Sequence, residues 1–490
     1  MIALPLLLVI PALAGLICGL TRRRGVMDAV TLVAGTALLI VGVFIAVQVL
    51  DHGAISDFGG FFYADALGAV VILVVVVVAF TTSVFSIGYM RYQNSEAVLG
   101  TRRVYGYYVL FHAFLITMLL VPISNNLGIM WMAIEATTVA SALLVALYGT
   151  VESLEAAWKY IIIGSVGIAL ALFATVLVYY AGVQVFGQGN YDLNWSTLVP
   201  VAHHLNPSVM KLVFIFALIG YGTKAGLAPM HTWLPDAHSE APVPVSALLS
   251  GVLLNLALYA IFRFYSLTVK SVGHAYPSHL LMAFGVFSVF VATLFIVRQA
   301  DYKRLLAYSS VEHVGIIATG FAFGGPLATY GALLQMLNHA IVKSLMFFAV
   351  GNVLLKYRNK EIATVSGVLS LSPVTGGVLI LGGFALTGSP PFNTFVSEIA
   401  ILWGGFQTGN ALAAIIVIAL LAVIFVGFLH YVNSMAFGKP PEDREPSSTN
   451  PWIKAAFAIS VAPVLLLGFY VPAGLSDLIH RAVTSVGSTS

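Results

Sequence analysis

The run Tyr221-Gly-Thr-Lys-Ala-Gly-Leu-Ala-Pro-Met-His-Thr-Trp-Leu-Pro-Asp236 interrupts a long apolar stretch with an ammonium group, an imidazole and two prolines. A Lys at the centre of a membrane-spanning helix costs about 2.5–3.5 kcal/mol on insertion scales, so such residues face a polar interior and mark ion paths. Proline frees backbone carbonyls, and non-helical backbone at that depth is tolerated only where protein or water covers it. The run therefore predicts a broken helix at a transport site, with Pro229 and Pro235 in the break and Lys224 and His231 beside it.

The composition of the whole chain is that of a membrane protein. Of its 490 residues, 60% are hydrophobic and 8% are charged, and the charged share is about a third of that in a soluble domain. About fourteen apolar runs are long enough to cross a hydrocarbon core of about 30 Å. They cover residues 2–20, 28–50, 62–88, 107–121, 125–148, 157–180, 211–234, 244–266, 281–299, 306–323, 328–354, 375–400, 411–433 and 452–475. We therefore predict an all-α polytopic membrane protein with about fourteen transmembrane helices.

The distribution of Arg and Lys predicts the orientation. The first apolar run is followed, not preceded, by a basic cluster, so it is a first span and not a cleaved secretion signal. Basic residues collect in cytoplasmic connections. Fifteen lie in alternate connections here: Arg22, Arg23, Arg24, Arg91, Arg102, Arg103, Arg298, Lys303, Arg304, Lys356, Arg358, Lys360, Lys439, Arg444 and Lys454. We expect a multi-pass protein of the inner (cytoplasmic) membrane with both termini on the non-cytoplasmic side.

The composition also argues against several function classes. Cys18 is the only cysteine, so the chain alone builds no disulfide and no cysteine-ligated iron–sulfur or zinc site. The pattern Asp236-Ala-His238-Ser-Glu240 is only a weak indication of a metal site. The net charge of +3 follows from the membrane topology and gives no support for nucleic-acid binding. We expect no cofactor in this chain, and any redox chemistry that powers transport then lies on a partner subunit.

A second interruption predicts an internal repeat. It reads Gly383-Phe-Ala-Leu-Thr-Gly-Ser-Pro-Pro-Phe-Asn-Thr-Phe-Val-Ser-Glu398 and contains Pro390 and Pro391. A shift of 162 positions aligns it with the first, pairing Gly226 with Gly388 and Pro229 with Pro391. Paired broken helices in the two halves of a transporter point to its binding sites. We predict two inverted five-helix repeats, although two Gly-Pro motifs can also resemble each other by chance. The predicted parts are three N-terminal helices in 1–106, repeats in 107–270 and 271–436, and a cytoplasmic loop and C-terminal helix in 437–490.

Glu135 is an ionisable residue placed deep in a span, about ten residues from its start. A carboxyl group at this depth needs a proton or a nearby cation, and Lys224 on a different helix is the natural partner. Each charge of such a pair holds the other ionised, so a change in their separation can move a proton. The structural alternative is a protonated Glu that is hydrogen-bonded inside the bundle.

The ionisable residues of the second half are rich in His. His339 and Lys343 are four residues apart and share a helix face. A neutral imidazole both accepts and donates a proton near physiological pH, which suits a relay, although a single His in a span is more often structural. Lys159 lies close enough to the positive side to extend into the interface. The predicted proton path comprises Glu135, Lys224, His231, His313, His339, Lys343 and Glu398, with Lys159, His238 and Glu312 as accessory positions.

At these residues the chain resembles the proton-pumping, antiporter-like membrane subunits shared by respiratory complex I, Mrp-type sodium/proton antiporters and membrane-bound hydrogenases. The similarity covers essentially the whole chain and implies that Glu135 and Lys224 are the central pair, with the later residues continuing toward an exit. Its motifs are Met132-Ala-Ile-Glu135-Ala, Gly222-Thr-Lys224-Ala-Gly, His231-Thr-Trp-Leu-Pro-Asp-Ala-His238, Asp301-Tyr-Lys-Arg-Leu-Leu-Ala-Tyr-Ser-Ser310 and Asn338-His-Ala-Ile-Val-Lys343.

Finer features look most like the hydrogenase-4 component F branch of this family. They include Ser86-Ile-Gly-Tyr-Met-Arg91, Ser153-Leu-Glu-Ala-Ala-Trp-Lys-Tyr-Ile-Ile-Ile163 and Gly351-Asn-Val-Leu-Leu-Lys-Tyr357. The resemblance implies a non-catalytic membrane subunit of an oxidoreductase complex. Its implied partners are other membrane subunits of a hydrogenase-4-like complex and a peripheral redox arm with nickel-iron hydrogenase and iron–sulfur proteins.

One position departs from the wider family. The complex I subunits usually carry a Lys at the centre of the eighth span, where this chain has Asn255. Asn does not titrate, so a proton would have to cross by water held near Asn255, which is a further accessory position. Three functions therefore stay open at this point: a proton-translocating subunit, a scaffold that anchors a hydrogenase or dehydrogenase arm without pumping, and a sodium/proton antiporter subunit of the Mrp type.

Overall fold

The computed structural model describes residues 3–21, 23–96, 98–187, 193–441 and 448–486. Arg22 and Arg444, which were counted for the orientation, and residues 442–447 of the predicted cytoplasmic loop lie outside the described residues. The described part is helical apart from one small hairpin, short turns and connections. This confirms an all-α polytopic membrane architecture.

The helices follow the apolar runs. The N-terminal part has α1 (Ala3–Leu20), α2 (Arg24–His52), the hairpin β1 (Ile55–Asp57) and β2 (Phe62–Ala64), and α3 (Ala66–Ser95). Next come α4 (Thr101–Ile123), α5 (Leu127–Val145), α6 (Val151–Phe186), α7 (Trp195–Val201), α8 (Pro207–Ala225), α9 (Trp233–Glu240), α10 (Val243–Leu248) and α11 (Leu254–Val272). The π-helical turn Leu249–Leu253 joins α10 to α11.

The second half repeats this alternation of long and short helices. It contains α12 (Ala275–Ile296), α13 (Tyr302–Phe323), α14 (Gly325–Tyr357), α15 (Val368–Leu371), α16 (Pro373–Leu386), α17 (Asn393–Gln407) and α18 (Ala411–Ala436). The chain continues with α19 (Pro451–Phe469) and the short α20 (Ala473–Ser485).

Thirteen helical segments of the described chain are long and apolar enough to cross a membrane, close to the predicted fourteen. The run 375–400 accounts for the difference, because it is divided into α16 and α17, of 14 and 15 residues. The boundary predicted at 106/107 falls inside α4, which begins at Thr101 because polar residues continue this helix beyond its apolar run. The predicted inverted repeat and the orientation of the termini stay predictions.

Side chains satisfy the backbone of the first interruption. Gly226 ends α8 in the left-handed conformation, with φ at 78°, which glycine adopts without steric cost. The indole Nε1 of Trp233 donates to the carbonyl of Thr223 at 2.8 Å, and the N–H of Ala228 donates to Ser288 Oγ at 2.9 Å. The non-helical segment is therefore covered by protein partners, as a membrane interior requires.

The prolines differ in their positions. Pro229, Pro390 and Pro391 lie in the non-helical segments. Gly388 of the second segment has a positive φ of 65°, comparable to the 78° of Gly226 in the first. Pro235 was expected in the break, but it lies in the first turn of α9. Proline is tolerated there because the first N–H groups of a helix have no acceptor within the helix.

The centre of the bundle consists of α3, α10 with α11, α13 and α14. The apolar windows of α13, α14 and the α10–α11 segment are wholly buried, whereas most of α18 faces outward. Helices α1, α2, α6, α12 and α19 also expose much of their surface. A helix that is hydrophobic all round belongs in the interior of a large protein or membrane domain. Ionisable residues on the central helices are therefore held inside protein and not in lipid.

A buried ion pair joins two of the central helices at one end. Arg263 of α11 donates from Nη1 and Nη2 to the two carboxylate oxygens of Asp65, at 2.6 and 2.7 Å. Asp65 also accepts from the N–H of Gly68 at 2.9 Å and so caps the first turn of α3. The guanidinium lies 4.4 Å from the ring centre of Trp195 on α7. One Arg thus fixes three elements.

The pKa of Asp65 reflects this pairing. Burial alone would raise it, but the charge of Arg263 and hydrogen bonds from Arg263 and the Gly68 N–H lower it below the usual value. A carboxyl group with a depressed pKa in the folded state contributes stability that is present above its unfolded-state pKa and lost as pH falls through the folded-state pKa. The ion pair is therefore intact at neutral pH and fails only in acid.

We predict that Arg263→Leu destabilises the fold. The change leaves a buried carboxylate without its partner, and removal of one member of a buried ion pair costs about 3–5 kcal/mol. The control is Arg358→Ala, because Arg358 pairs with Glu96 at the surface and its side chain is 60% exposed. Thermal unfolding of the purified protein should show a clearly lower midpoint for Arg263→Leu and little change for Arg358→Ala. Equal midpoints would contradict this assignment.

Candidate functional site

Thr138 connects Glu135 and Lys224, which were predicted to be partners. The Lys224 ammonium donates to Thr138 Oγ1, and that hydroxyl donates to Glu135 Oε2 at 3.2 Å. Ser165 of α6 donates to the other carboxylate oxygen at 3.3 Å. The Thr138 hydroxyl therefore links Lys224 to Glu135, because a hydroxyl group can accept one hydrogen bond and donate another.

Three features hold Lys224 at this place. It is fully buried in the last turn of α8, where the negative end of the helix dipole favours a cation. Its Nζ lies 4.7 Å from the ring centre of Tyr160, within the range of a cation–π contact. A Cβ on Gly164 would lie 2.9 Å from Nζ, so this glycine leaves the space that the ammonium group occupies. The interruption after α8 thus creates the site.

Glu135 is less enclosed than Lys224. It is half-buried at the edge of a groove of about 310 Å³ between α5 and α6, whose other walls include Leu143 and Trp158. These two neighbours are exposed at the outer surface. The carboxyl group therefore connects the buried Lys224 to a lateral face of the subunit.

A second cluster is organised by one face of α14. Gln335, His339, Lys343 and Phe347 are spaced four residues apart, so they form one stripe along the helix. All four are buried, with relative exposure at or near zero. Each of them faces a different ionisable or polar partner from α9, α13 or α17, and together they form a row through the interior.

His313, Gln335 and Glu398 meet at one end of this row. His313 Nε2 lies 3.0 Å from the carbonyl of Leu386, which only accepts, so Nε2 carries the hydrogen. Gln335 Nε2 donates to His313 Nδ1 at 3.0 Å and to Glu398 Oε1 at 3.3 Å. The Gln335 carbonyl oxygen accepts from Ser397. The imidazole is therefore neutral in this arrangement and is linked to the carboxyl group through an amide.

Glu398 also touches the second interruption. A Cβ on Gly388 would lie 2.0 Å from Glu398 Oε2, so only a glycine permits this close approach. Glu398 Oε1 is 3.8 Å from His313 Nδ1. The sequence predicted Glu398 as a member of the proton path, and the structure places its carboxyl group inside the bundle beside the break.

Lys343 lies at the middle of the row. Its ammonium donates to the carbonyl of Leu306 on α13 at 2.8 Å. Glu312, on the same helix as Leu306, interacts with Lys343 electrostatically. The accessory residue Glu312 is thus the acid that faces Lys343, whereas its neighbour His313 faces Gln335.

His339 and His238 line the same space without fixed partners. The His339 ring lies 5.1 Å from that of His313, and the His238 ring stacks on Phe347 at 5.3 Å. Both are fully buried, and among the described residues no hydrogen bond reaches either ring nitrogen of His339 or of His238. Buried polar atoms in proteins are generally hydrogen-bonded to protein or water, so these four nitrogens can take part in a hydrated path.

Asn255 lies between the two clusters. Its Nδ2 donates to the carbonyl of Gly251 at 2.8 Å and to that of Met336 on α14 at 3.1 Å. Its Oδ1 is buried and has no partner among the described residues. In the adjacent π-helical turn, Ser250 Oγ lies 2.7 Å from Ser310 Oγ on α13. Polar groups are therefore present around Asn255, although none of them is charged.

The structure does not bring His231 and Lys159 into either cluster. The His231 ring lies beside Phe295 and Tyr308, at 6.4 and 6.1 Å between centres. Lys159 is about half exposed and pairs with Glu155 at 2.7 Å and with Asp236 at 3.1 Å. Its contacts are those of a surface ion-pair network that ties α6 to α9.

Several polar residues of the site were missed by the sequence analysis. Thr138, Ser165 and Gln335 complete the clusters. The only signal for Thr138 and Gln335 was a spacing of three or four residues from a predicted member, and Ser165 had no such signal. Lys303 was counted as a loop cation, but it is 2% exposed. Its ammonium donates to the carbonyls of Ser239 and Ala241, at 2.8 and 2.7 Å. The prediction of a loop position for Lys303 was wrong because the end of α9, which supplies the Ser239 carbonyl, covers this side chain.

The chain is similar to known membrane proteins in sequence and in fold. Residues 124–424 match the family described as "NADH:quinone oxidoreductase/Mrp antiporter, TM". The chain is 42% identical over 417 residues to the hydrogenase-4 component F homolog of Methylacidiphilum infernorum (isolate V4), covering 84% of this chain and 86% of the relative. It is 29% identical to NADH-quinone oxidoreductase subunit N of Desulforudis audaxviator (strain MP104C), over 71% of this chain and 69% of that one.

Solved structures share the fold over nearly the full length. One chain of the membrane-bound sulfane sulfur reductase, an archaeal respiratory membrane complex, superposes with a TM-score of 0.86 at 25% identity, covering 99% of this chain and 98% of that one. A chain of the Mrp complex from Dietzia sp. DQ12-45-1b gives 0.86 at 19% identity, with 99% of each chain covered. The relatives are described as a component and a subunit, and both structural neighbours are chains of membrane complexes. The chain therefore belongs to the NADH:quinone oxidoreductase/Mrp antiporter transmembrane family, as an antiporter-like membrane subunit related to those of hydrogenase-4 and NADH-quinone oxidoreductase.

Proposed function

We propose that this chain is a proton-translocating membrane subunit of a redox-driven complex that resembles hydrogenase-4. Its partners would be further membrane subunits and a peripheral arm of nickel-iron hydrogenase and iron–sulfur proteins, which supply the redox chemistry. The observation that carries the proposal is the arrangement of buried acids, lysines and histidines in two hydrogen-bonded clusters on the central helices. Ionisable residues at membrane depth are costly and serve substrate or proton paths.

The first cluster supports a proton exchange. Thr138 accepts from Lys224 and donates to Glu135, so a proton given up by the ammonium can reach the carboxylate through one hydroxyl group. Glu135 borders the lateral groove. A charge that approaches this groove from a neighbouring subunit would change how firmly Glu135 holds Lys224 in its ionised form. The cluster is therefore suited to couple an event outside the subunit to a proton inside it.

The second cluster supports transfer along α14. Lys343, His339, His313 and Glu398 follow one another, with Gln335 as the hydrogen-bonded link between His313 and Glu398. Neutral imidazoles accept at one nitrogen and donate at the other. The unpartnered nitrogens of His339 are positions where water can complete the chain.

Asn255 favours a second candidate function. A non-pumping scaffold for a hydrogenase or dehydrogenase arm needs no titratable group between the clusters, and Asn255 does not titrate. Against this, its unpartnered Oδ1 and the Ser250–Ser310 pair give water several hydrogen-bond partners at the same level. A sodium-translocating antiporter is the third candidate, but sodium prefers a cluster of oxygen ligands, and the acids here are interleaved with Lys and His.

We predict that Lys224→Ala and Glu135→Gln abolish most proton translocation. The purified complex would be reconstituted into vesicles, and proton uptake would be followed while the redox arm turns over. Loss of a positioned acid–base group lowers proton-transfer rates by about 100-fold or more, so uptake should fall far below the wild-type level in both variants. Lys159→Ala is the control, because Lys159 lies in a surface network.

Two outcomes would contradict the proposal. If both variants keep full redox turnover and full proton uptake, the chain is a scaffold. If the wild-type rate instead requires sodium and sodium moves across the membrane, the antiporter function is correct.

We also predict that Thr138→Val separates Lys224 from Glu135 without disturbing the fold. The change keeps the side-chain shape and removes the bridging hydroxyl, so proton uptake should fall about 10-fold or more. Thr137→Val is a matched control on the same helix, because its hydroxyl donates to the carbonyl of Ile134 and not to the pair. If the two variants translocate protons equally, the hydroxyl bridge has no role.

A further inference from the structure

An apolar cavity of about 580 Å³ lies between α2, α3, α14, α19 and α20. Its lining residues are aliphatic side chains, prolines and a glycine, with one aromatic residue, Tyr470. They include Val43 and Leu50 of α2, Leu337 and Ile341 of α14, and Pro463 of α19. No titratable residue of either cluster lines this cavity, so it is a separate feature of the fold.

The cavity runs from a membrane interface into the apolar depth. Its walls end at the last turn of α2 and at the end of α19, where Tyr470 is 66% exposed. Tyr is enriched at the membrane–water interface. From Leu50 to Val43 the lining covers seven residues of helix, or about 10 Å at 1.5 Å per residue. The cavity therefore opens at the interface and follows the direction of the lipid chains.

A basic side chain stands at the open end. The amphipathic helix α20 buries Leu478 against the bundle and exposes Arg481 one turn later. Arg481 Nη1 lies 3.5 Å from the carbonyl of Val49, next to the lining residue Leu50. A guanidinium has five N–H donors in a geometry that suits phosphate. An anionic group at the mouth of the cavity would therefore meet a complementary charge.

We infer that this cavity binds one acyl chain of a membrane phospholipid, whose phosphate group lies beside Arg481. The aliphatic walls match a hydrocarbon chain, and Arg481 at the mouth offers a cationic partner for the phosphate of the same lipid. An extended hydrocarbon chain fits, and each buried methylene favours binding.

The bound lipid would lie behind the helix that carries the second cluster. Leu337 and Ile341 face the cavity, and His339 and Lys343 are offset from them by two residues, or about 200° around α14. Occupancy of the cavity would therefore hold α14 in place from its apolar side. This consequence rests on the proposed function, whereas lipid binding itself does not.

Photo-crosslinking of the reconstituted complex tests the lipid site. The vesicles would contain phosphatidylglycerol with a small fraction of the same lipid carrying a diazirine in one acyl chain, and labelled peptides would be mapped by mass spectrometry. We expect label on residues 463–475 and on residues 43–50. Excess unlabelled phosphatidylglycerol should displace it, because the site is specific.

Two variants of the cavity and its mouth, with one control variant, test where the lipid binds. Gly474→Leu fills the cavity without strain, because the nearest atom to an added Cβ is Leu50 Cδ1 at 3.8 Å, and it should remove the label from both segments. Arg481→Gln should lower labelling about fivefold, which is the effect of one basic residue at an anionic membrane surface. Gly377→Leu, at an exposed helical glycine with open space around it, should label as the wild type does.

The inference is wrong if Gly474→Leu and Gly377→Leu are labelled equally in these segments. It is also wrong if a photo-reactive group at position 470 joins the chain to a neighbouring subunit and not to lipid. Proton uptake of Gly474→Leu is measured separately. If Gly474→Leu loses the label but keeps normal proton uptake, the lipid has no supporting role for α14. If Lys224→Ala loses uptake but keeps normal labelling, both the lipid site and the proposed function are supported.

Discussion

A buried ammonium group inside a membrane protein needs oxygen acceptors in place of water, and the interior of this structure depends on supplying them to three lysines. Lys224 donates to the Thr138 hydroxyl, Lys303 donates to two carbonyls near the end of α9, and Lys343 donates to a carbonyl of α13. The end of α8 at the first interruption and the end of α9 near Lys303 create two of these sites. The ends of these two helices therefore help to position buried cations as well as shaping the fold.

Hydropathy, charge and proline placement were sufficient to predict the spans, the two interruptions and most of the buried ionisable residues, because long apolar runs are favourable in lipid whereas charges within them are costly there, and both features are visible in the sequence. The finer geometry was not predictable. Thr137 and Thr138 are identical neighbours that differ only in their spacing from Glu135, and only Thr138 bridges Glu135 and Lys224. Lys303 was misplaced in a loop and Pro235 in a break, because both positions depend on where α9 begins and how it packs against α13.

The two faces of α14 explain how polar and apolar functions coexist in one buried helix. One face carries Gln335, His339 and Lys343, and the face offset by two residues carries Leu337 and Ile341. The polar face is specified by hydrogen bonds to α13 and α17. The apolar face borders the cavity under α20. The spacing of His339 and Lys343 predicted the polar face, whereas no sequence pattern indicated a cavity beside the opposite face.

On the proposed path, protons pass between the two clusters by way of Asn255, whose side chain does not titrate. The most direct test is Asn255→Leu in the reconstituted complex, with proton uptake measured during redox turnover and the thermal midpoint measured as a control for folding. Leu matches Asn in size but offers water no hydrogen bond. We predict that uptake falls to the level of Lys224→Ala while the complex stays folded. Wild-type uptake in Asn255→Leu would contradict a path through this position.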